Sequence, residues 1–116
     1  MARPQRCRRI CALPGHTRFA PEDGADAGSV VLALDEYEAL RLMDHEGLTH
    51  GQCAEVMQVS RTTVTEIYAS ARRKLAEAIV EGRSLAIDGG SVKLCDRQNP
   101  CGYGVCESGA DASGEK

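Results

Sequence analysis

From Val64 to Ala78 apolar side chains return every three or four positions. At about 100° per residue, Val64, Ile67, Ala71, Leu75 and Ala78 fall within about 80° of one another. That stripe predicts a long helix over 61–81, ended by Gly82. Just upstream, Cys53, Ala54, Val56 and Met57 form the inner face of a two-turn helix. Thr49-His50-Gly51-Gln52 opens it as a capping box, in which the Thr hydroxyl accepts from the N3 amide and the Gln side chain reaches back. Gln58-Val59-Ser60 joins the two helices: Val59 plugs the core and Ser60 caps the second helix. A glycine usually stands where Gln58 does, because that turn residue often takes positive φ, and a side chain there costs about 1 kcal/mol.

A third helix is expected earlier, begun by Asp35 as N-cap with Glu36 and Glu38 in its first turn, where acids suit the helix dipole. Tyr37, Leu40 and Met43 are its buried stripe and Gly47 its terminator. No His, Ser or Cys base–nucleophile set accompanies its carboxylates, which are read as a solvated face rather than an acid/base pair.

Outside these helices the pattern is of period two. Val30, Leu32 and Leu34 alternate as a short strand, and a strand fits Arg8–Leu13 between Pro4 and Pro14. Residues 19–28 are a loop by composition. Leu85–Leu94 reads as a β-hairpin about Gly89-Gly90, pairing Ile87 with Val92 and Leu85 with Leu94 on one face. The fold class expected is mainly α: a three-helix helix-turn-helix domain with a small β-hairpin and short N-terminal strands. Residues 1–18 form a basic arm, 19–94 the domain, and 95–116 a Cys-containing flexible tail.

Charge sharpens this. The net −3 over 116 residues hides five arginines and no acid in residues 1–18, nine acids against Arg41 alone in 19–59, and a net positive 60–83. A basic arm and a basic helix flanking an acidic scaffold suit a nucleic-acid binder. No run approaches the ~20 apolar residues of a membrane span. The basic N-terminus lacks the apolar core of a signal peptide, so a cytoplasmic location is expected. One Phe and no Trp leave a thin aliphatic core that a second copy would help to bury, so a homodimer is expected.

Opposite the apolar stripe of the long helix lie Thr62, Thr65, Glu66 and Arg73, with Arg61 and Arg72 on the flank. Such a short polar face can enter a major groove about 12 Å wide. Arg61 or Arg73 can pair with guanine, Thr62 and Thr65 can touch base edges or a thymine methyl, and Glu66 can accept from cytosine. Arg72 and Lys74, the amide end of the helix begun by Thr49 and Gln52, and the arm residues Arg3, Arg6, Arg8 and Arg9 are candidate phosphate contacts. Double-stranded DNA is the expected partner, and transcriptional regulation the expected role; an enzyme is not expected. The C-terminal end, AEAIV over 76–80, is apolar on more than one side and must dock against something.

The cysteines support a second reading. In an intracellular chain six Cys are thiols, metal ligands or redox groups rather than a disulfide framework. Cys95, Cys101 and Cys106 are spaced C-x5-C-x4-C, and Cys7 and Cys11 C-x3-C. Neither is the usual C-x2-C knuckle, but together they are candidate ligands for zinc or iron if the two ends of the chain meet. The alternative is then a metal- or redox-responsive protein whose helices bind another protein. The first reading requires no cofactor.

The stretch LDEYEALRLMDHEGLTHGQCAEVMQVSRTTVTEIYASARRKLAEAI resembles the sigma-70 region-4 type of helix-turn-helix, in its lead helix and its RRKL finish. RPQRCRRIC, LDEYEALRL and SLAIDGGSVKL together resemble the domain-of-unknown-function 134 family (UPF 0251), over about residues 2–94. That resemblance implies a small prokaryotic DNA-binding protein, and no more specific role.

Overall fold

The computed structural model describes residues 8–24, 27–90 and 92–94. The chain runs β1 (Arg8–Ile10), β2 (Arg18–Phe19), β3 (Ser29–Leu32), α1 (Leu34–Leu40), a π-helical turn (Arg41–His45), α2 (His50–Met57), α3 (Arg61–Glu81), β4 (Ser84–Ile87) and β5 (Val92–Leu94). It is mainly helical with two small sheets, and the predicted bounds of the long helix hold to the residue.

α3 is the spine. Its stripe serves two cores in turn. Val64 and Ile67 pack with Ala39, Leu42, Cys53, Val56 and Met57. Ala71 and Ala78 pack with Val30, Leu32, Leu85 and Ile87. The first core therefore joins α3 to α1 and α2, and the second lays its later turns on a sheet. The small residues Ala71 and Ala78 let backbone approach backbone there.

The predicted hairpin is replaced by a different pairing. β4 lies between β2 and β3, antiparallel to β2 (Phe19 opposite Leu85) and parallel to β3 (Val30 opposite Leu85, Leu32 opposite Ile87). Both its edges are thus taken, and β5 pairs instead with β1, in parallel, Arg8 opposite Val92. Gly89 and Gly90 keep positive φ, +81° and +102°, but they carry the chain past the start of α1 rather than back on itself. The Gly89 carbonyl accepts from the Leu34 amide at 2.8 Å. A Cβ on Gly90 would lie 3.3 Å from Ala33 Cβ and from Asp35 Oδ1. The Gly-Gly pair that resembles a hairpin loop is a close crossing.

α1 departs from expectation in two ways. Its N-cap is Ala33, not Asp35; the Ala33 amide donates to Glu36 Oε1 at 2.9 Å. Its acids are not a solvated face: Asp35, Glu36 and Glu38 are all buried, Glu38 completely. The helix is flanked by β1 on one side and α3 on the other, so these positions face partners instead of water. Of the expected stripe, Tyr37, Leu40 and Met43 are half-buried and pack at the margins of the two cores. Ala39 and Leu42 are the fully buried pair. The helix continues into the π turn, in which the Glu46 amide reaches the Arg41 carbonyl at 2.8 Å, and Gly47 turns the chain at φ +83°.

Candidate functional site

The helix pair α2–α3 is built as its sequence requires. The Thr49 hydroxyl accepts from the Gln52 amide at 3.1 Å, and Gln52 Oε1 accepts from the Thr49 amide at 3.0 Å. Gln58 closes α2 in the left-handed region, φ +60° and ψ +47°, so the turn keeps the expected geometry without a glycine. The half-buried Val59 packs against the first core. Ser60 Oγ accepts from the Thr63 amide at 3.1 Å and donates to Thr63 Oγ1 at 2.9 Å.

Beyond that cap, Arg61, Thr62, Thr65, Glu66 and Arg73 are all exposed. The structure brings the five candidates onto one outward strip of α3. One detail changes: Thr65 Oγ1 donates to the Arg61 carbonyl at 3.0 Å. Its proton is committed, leaving a methyl group and an acceptor to face a ligand.

Several other candidate cations are occupied in the fold. Lys74 Nζ lies 2.8 Å from Glu36 Oε1. Arg8 reaches Asp35 at 2.9 Å. Arg9 is buried and its Nε donates to the Val56 carbonyl at 2.8 Å, where a cation suits the C-terminal end of α2. Arg8 and Arg9 therefore belong to β1 and its packing, not to a free arm, because the acids of α1 and the last carbonyls of α2 draw them in. Arg3 and Arg6 lie outside the described residues.

Arg72 holds an intermediate position. It is 62% exposed, with Nε 3.4 Å from Asp44. Its guanidinium carbon sits 5.3 Å from the Tyr68 ring centre. Tyr68 Oη donates to Asp44 Oδ1 at 2.7 Å, which holds the phenol proton on and raises its pKa. The ring also meets His50 edge-on, at 5.8 Å. Tyr68 and Asp44 thus tie the start of α2, the π turn and the middle of α3 together. The sequence reading named neither; the spacing of Tyr68 and Arg72, one turn apart, was the available signal.

Among the acids of α1, Glu36 is held toward its charged form. Burial pushes the Glu36 pKa up, but hydrogen bonds from Lys74, Ser70 and the Ala33 amide outweigh it, and the pKa lies below the ordinary 4.5. Glu38 takes two bonds of 3.0 Å from Arg41, through Nε and Nη2, and one of 3.0 Å from the Cys11 amide. Burial works against the Arg41 charge, yet the Glu38 carboxylate raises its pKa above the usual arginine value.

The cysteines in view are core residues. Cys11 and Cys53 are 1% and 0% exposed. Burial, with the nearby Glu38 charge, pushes the Cys53 thiol up to about 12, so it is an inert thiol. Cys11, a candidate ligand by spacing, instead packs against Leu42 and its neighbours. Among the described residues no three His, Cys, Asp or Glu are placed to hold a metal ion. Cys7, Cys95, Cys101 and Cys106 lie outside the described residues. No described helix is long and apolar enough to cross a membrane.

The family described as "Protein of unknown function DUF134" matches residues 1–95. The chain belongs to this family. A UPF0251 protein of Desulfitobacterium hafniense strain Y51 is 49% identical over 107 residues, covering 90% of this chain and 86% of its own. One from Pelotomaculum thermopropionicum is 45% identical over 103 residues, 87% of this chain and 78% of its own. A third, from Chlorobaculum tepidum, is 48% identical over 92 residues, 78% and 60% respectively. No solved structure matches the chain.

Proposed function

We propose that this member of the DUF134 family is a sequence-specific double-stranded DNA-binding protein, a cytoplasmic transcriptional regulator that uses α2 and α3 as a helix-turn-helix of the sigma-70 region-4 kind. The observation that carries the proposal is the strip on α3: directly after a side-chain cap, Arg61, Thr62, Thr65 and Glu66 are exposed with no large apolar residue among them. A helix with that face fits a major groove about 12 Å wide. Thr62 and the Thr65 methyl supply short-range contacts to base edges. Arg61 and Glu66 supply a donor fork and an acceptor, for guanine and cytosine respectively.

Phosphate contacts fall to Arg73, to Arg72 once it leaves Asp44, and to the N-terminal end of α2. Lys74, Arg8 and Arg9 drop from that set because each has a partner within the fold. Two copies would present two α3 helices to successive turns of a site with two-fold symmetry, about 34 Å apart.

Random-site selection from a DNA library at fixed salt tests the proposal. A recovered motif with two-fold symmetry is the expected result, and replacing Thr62 or Thr65 with Ala should change the motif more than the affinity. Arg73→Ala should weaken binding to all sequences alike and lower the salt slope by about one. Recovery of no motif, together with salt-insensitive binding, would remove DNA as the partner.

A further inference from the structure

Between α1, α3 and the sheet of β2, β3 and β4 runs a cleft of about 640 Å³ that the DNA reading does not use. Its volume falls within the roughly 300–1,000 Å³ of small-molecule sites. The floor is the margin of the second core: Leu32, Leu85 and Ile87 from the sheet, Tyr37 and Leu40 from α1, and Leu75 from α3. Phe19, 52% exposed, lines one wall.

The mouth is polar and comes mainly from one segment. Arg41, Asp44, His45 and Glu46 line it, joined by His16. The π turn is what gathers them. The Glu46 amide donates to the Arg41 carbonyl, five residues back, at 2.8 Å, so Glu46 stacks over Arg41. In an α-helix the two would point about 140° apart. Single π turns inside helices recur at functional sites.

The charges at this mouth do not balance. Arg41 gives two bonds of 3.0 Å to Glu38 and reaches Glu46 only at 3.4 Å. Arg72 meets Asp44 at 3.4 Å from the α3 side. Glu38, Asp44 and Glu46 therefore share two guanidinium groups. The contacts of Glu46 with Arg41 and His45, at 3.4 and 3.6 Å, both fall on Oε2. Among the described residues its Oε1 is left to accept from a ligand.

We propose that the cleft binds a small organic cation with a flat apolar body, an arylalkyl ammonium. The body lies on the leucine floor, and the ammonium donates to Glu46 Oε1 beside Asp44. The surplus carboxylate selects this occupant. A cation answers it without breaking an existing bond, an anion would be repelled by Asp44 and Glu46, and a neutral molecule would leave the charge unmet. Tyr37 and Phe19 supply aromatic lining, which also favours a cation. The proposal does not rest on the DNA reading, and its test contains no DNA.

The probes are 1-naphthylmethylammonium, 1-naphthylmethanol and 1-naphthoate, one body with a positive, a neutral and a negative head. Each is titrated into the full chain at pH 8, above the ordinary range of imidazole titration, and followed by calorimetry and amide NMR shifts. The cation should bind with a dissociation constant of about 1 mM or below. It should bind at least about tenfold more tightly than the alcohol, with no binding of the naphthoate. The shifts should centre on Arg41–Glu46, Leu85 and Ile87. Glu46→Gln keeps the side-chain shape and removes the charge, so it should weaken the cation about fivefold or more and leave the alcohol unchanged. Asp44→Asn should act in the same direction, and it takes the place of Glu46→Gln if that variant loses the native amide spectrum. Equal binding of the three probes, shifts centred elsewhere, or a cation affinity indifferent to both variants would overturn the proposal. So would no binding of the cation at about 10 mM. A cation affinity that falls as protein concentration rises would give the cleft to a second copy of the chain, and would overturn it too.

Discussion

Gln58 offers a direct measurement of how the turn between α2 and α3 is held. Its backbone sits at φ +60° and ψ +47°, a region that costs an L-residue roughly 1–2 kcal/mol. Its side chain is exposed. Gln58→Gly removes the steric cost, while the freer unfolded chain returns about 0.4–1 kcal/mol in the opposite direction. The net gain expected is about 0.5–1 kcal/mol. With a urea slope of about 1–1.5 kcal/mol per molar for a chain of this size, the midpoint should rise by about 0.5 M. Gln58→Ala keeps the Cβ and should be close to neutral. Gln58→Val adds β-branching to the same conformation and should lower the midpoint. The comparison is made at one protein concentration, since self-association would add its own stabilisation. A glycine variant no more stable than wild type would refute the left-handed turn, and with it the crossing of α2 and α3 on which the strip depends.

Two further predictions address the charges inside the fold. Arg41→Ala leaves the fully buried Glu38 carboxylate with the Cys11 amide but without its cation, and should cost about 3–5 kcal/mol in urea unfolding; a cost below 1 kcal/mol would count against the Arg41–Glu38 pair. Glu36 has a folded pKa below 4.5, so its contribution is present above the unfolded value and is lost as pH falls through the folded one. Stability should therefore decline below about pH 4.5 less steeply in Glu36→Gln than in wild type, and parallel profiles would count against the Lys74–Ser70–Glu36 arrangement.

The helices were legible because their signals are local. A capping box, a polar cap residue, a 3.6-residue stripe and a terminal glycine each act within a few residues, and Thr49, Ser60 and Gly82 sit where those rules put them. The strand pairing was not legible. Leu85-Ala86-Ile87-Asp88-Gly89-Gly90 has the local pattern of a hairpin, but β3 competes for the same edge of β4 through Val30 and Leu32, and only tertiary contact decides between them. The burial of Asp35, Glu36 and Glu38 escaped for the same reason. A run of acids in a first helical turn is as good a signal for solvent as for partners, and Arg8, Lys74 and Ser70, the partners of Asp35 and Glu36, lie 27 to 38 residues away; Arg41 is near Glu38 in sequence, but the Cys11 amide that joins it there is 27 residues off. Of the candidate site, the exposed strip of α3 was readable from periodicity, whereas the occupancy of the flanking cations was not.

That occupancy alters the electrostatic argument for DNA. Counted along the sequence, the acidic scaffold would repel a phosphate backbone and the basic residues would offset it. In the fold the two largely meet each other: Asp35 with Arg8, Glu38 and Glu46 with Arg41, Glu36 with Lys74, Asp44 with Arg72. The pairing removes much of the repulsion and also takes up several of the cations a sequence count would credit. What remains on the outward face of α3 is Arg61 and Arg73, with Arg72 held by a 3.4 Å contact that is mostly exposed and so inexpensive to exchange for a phosphate. Binding through these alone engages about two or three phosphates per protomer, a slope of roughly −2 to −3 in log affinity against log salt, doubled in a dimer. A DNA-bound slope much steeper than that would place further cations at the duplex, and would return attention to Arg3 and Arg6 ahead of β1.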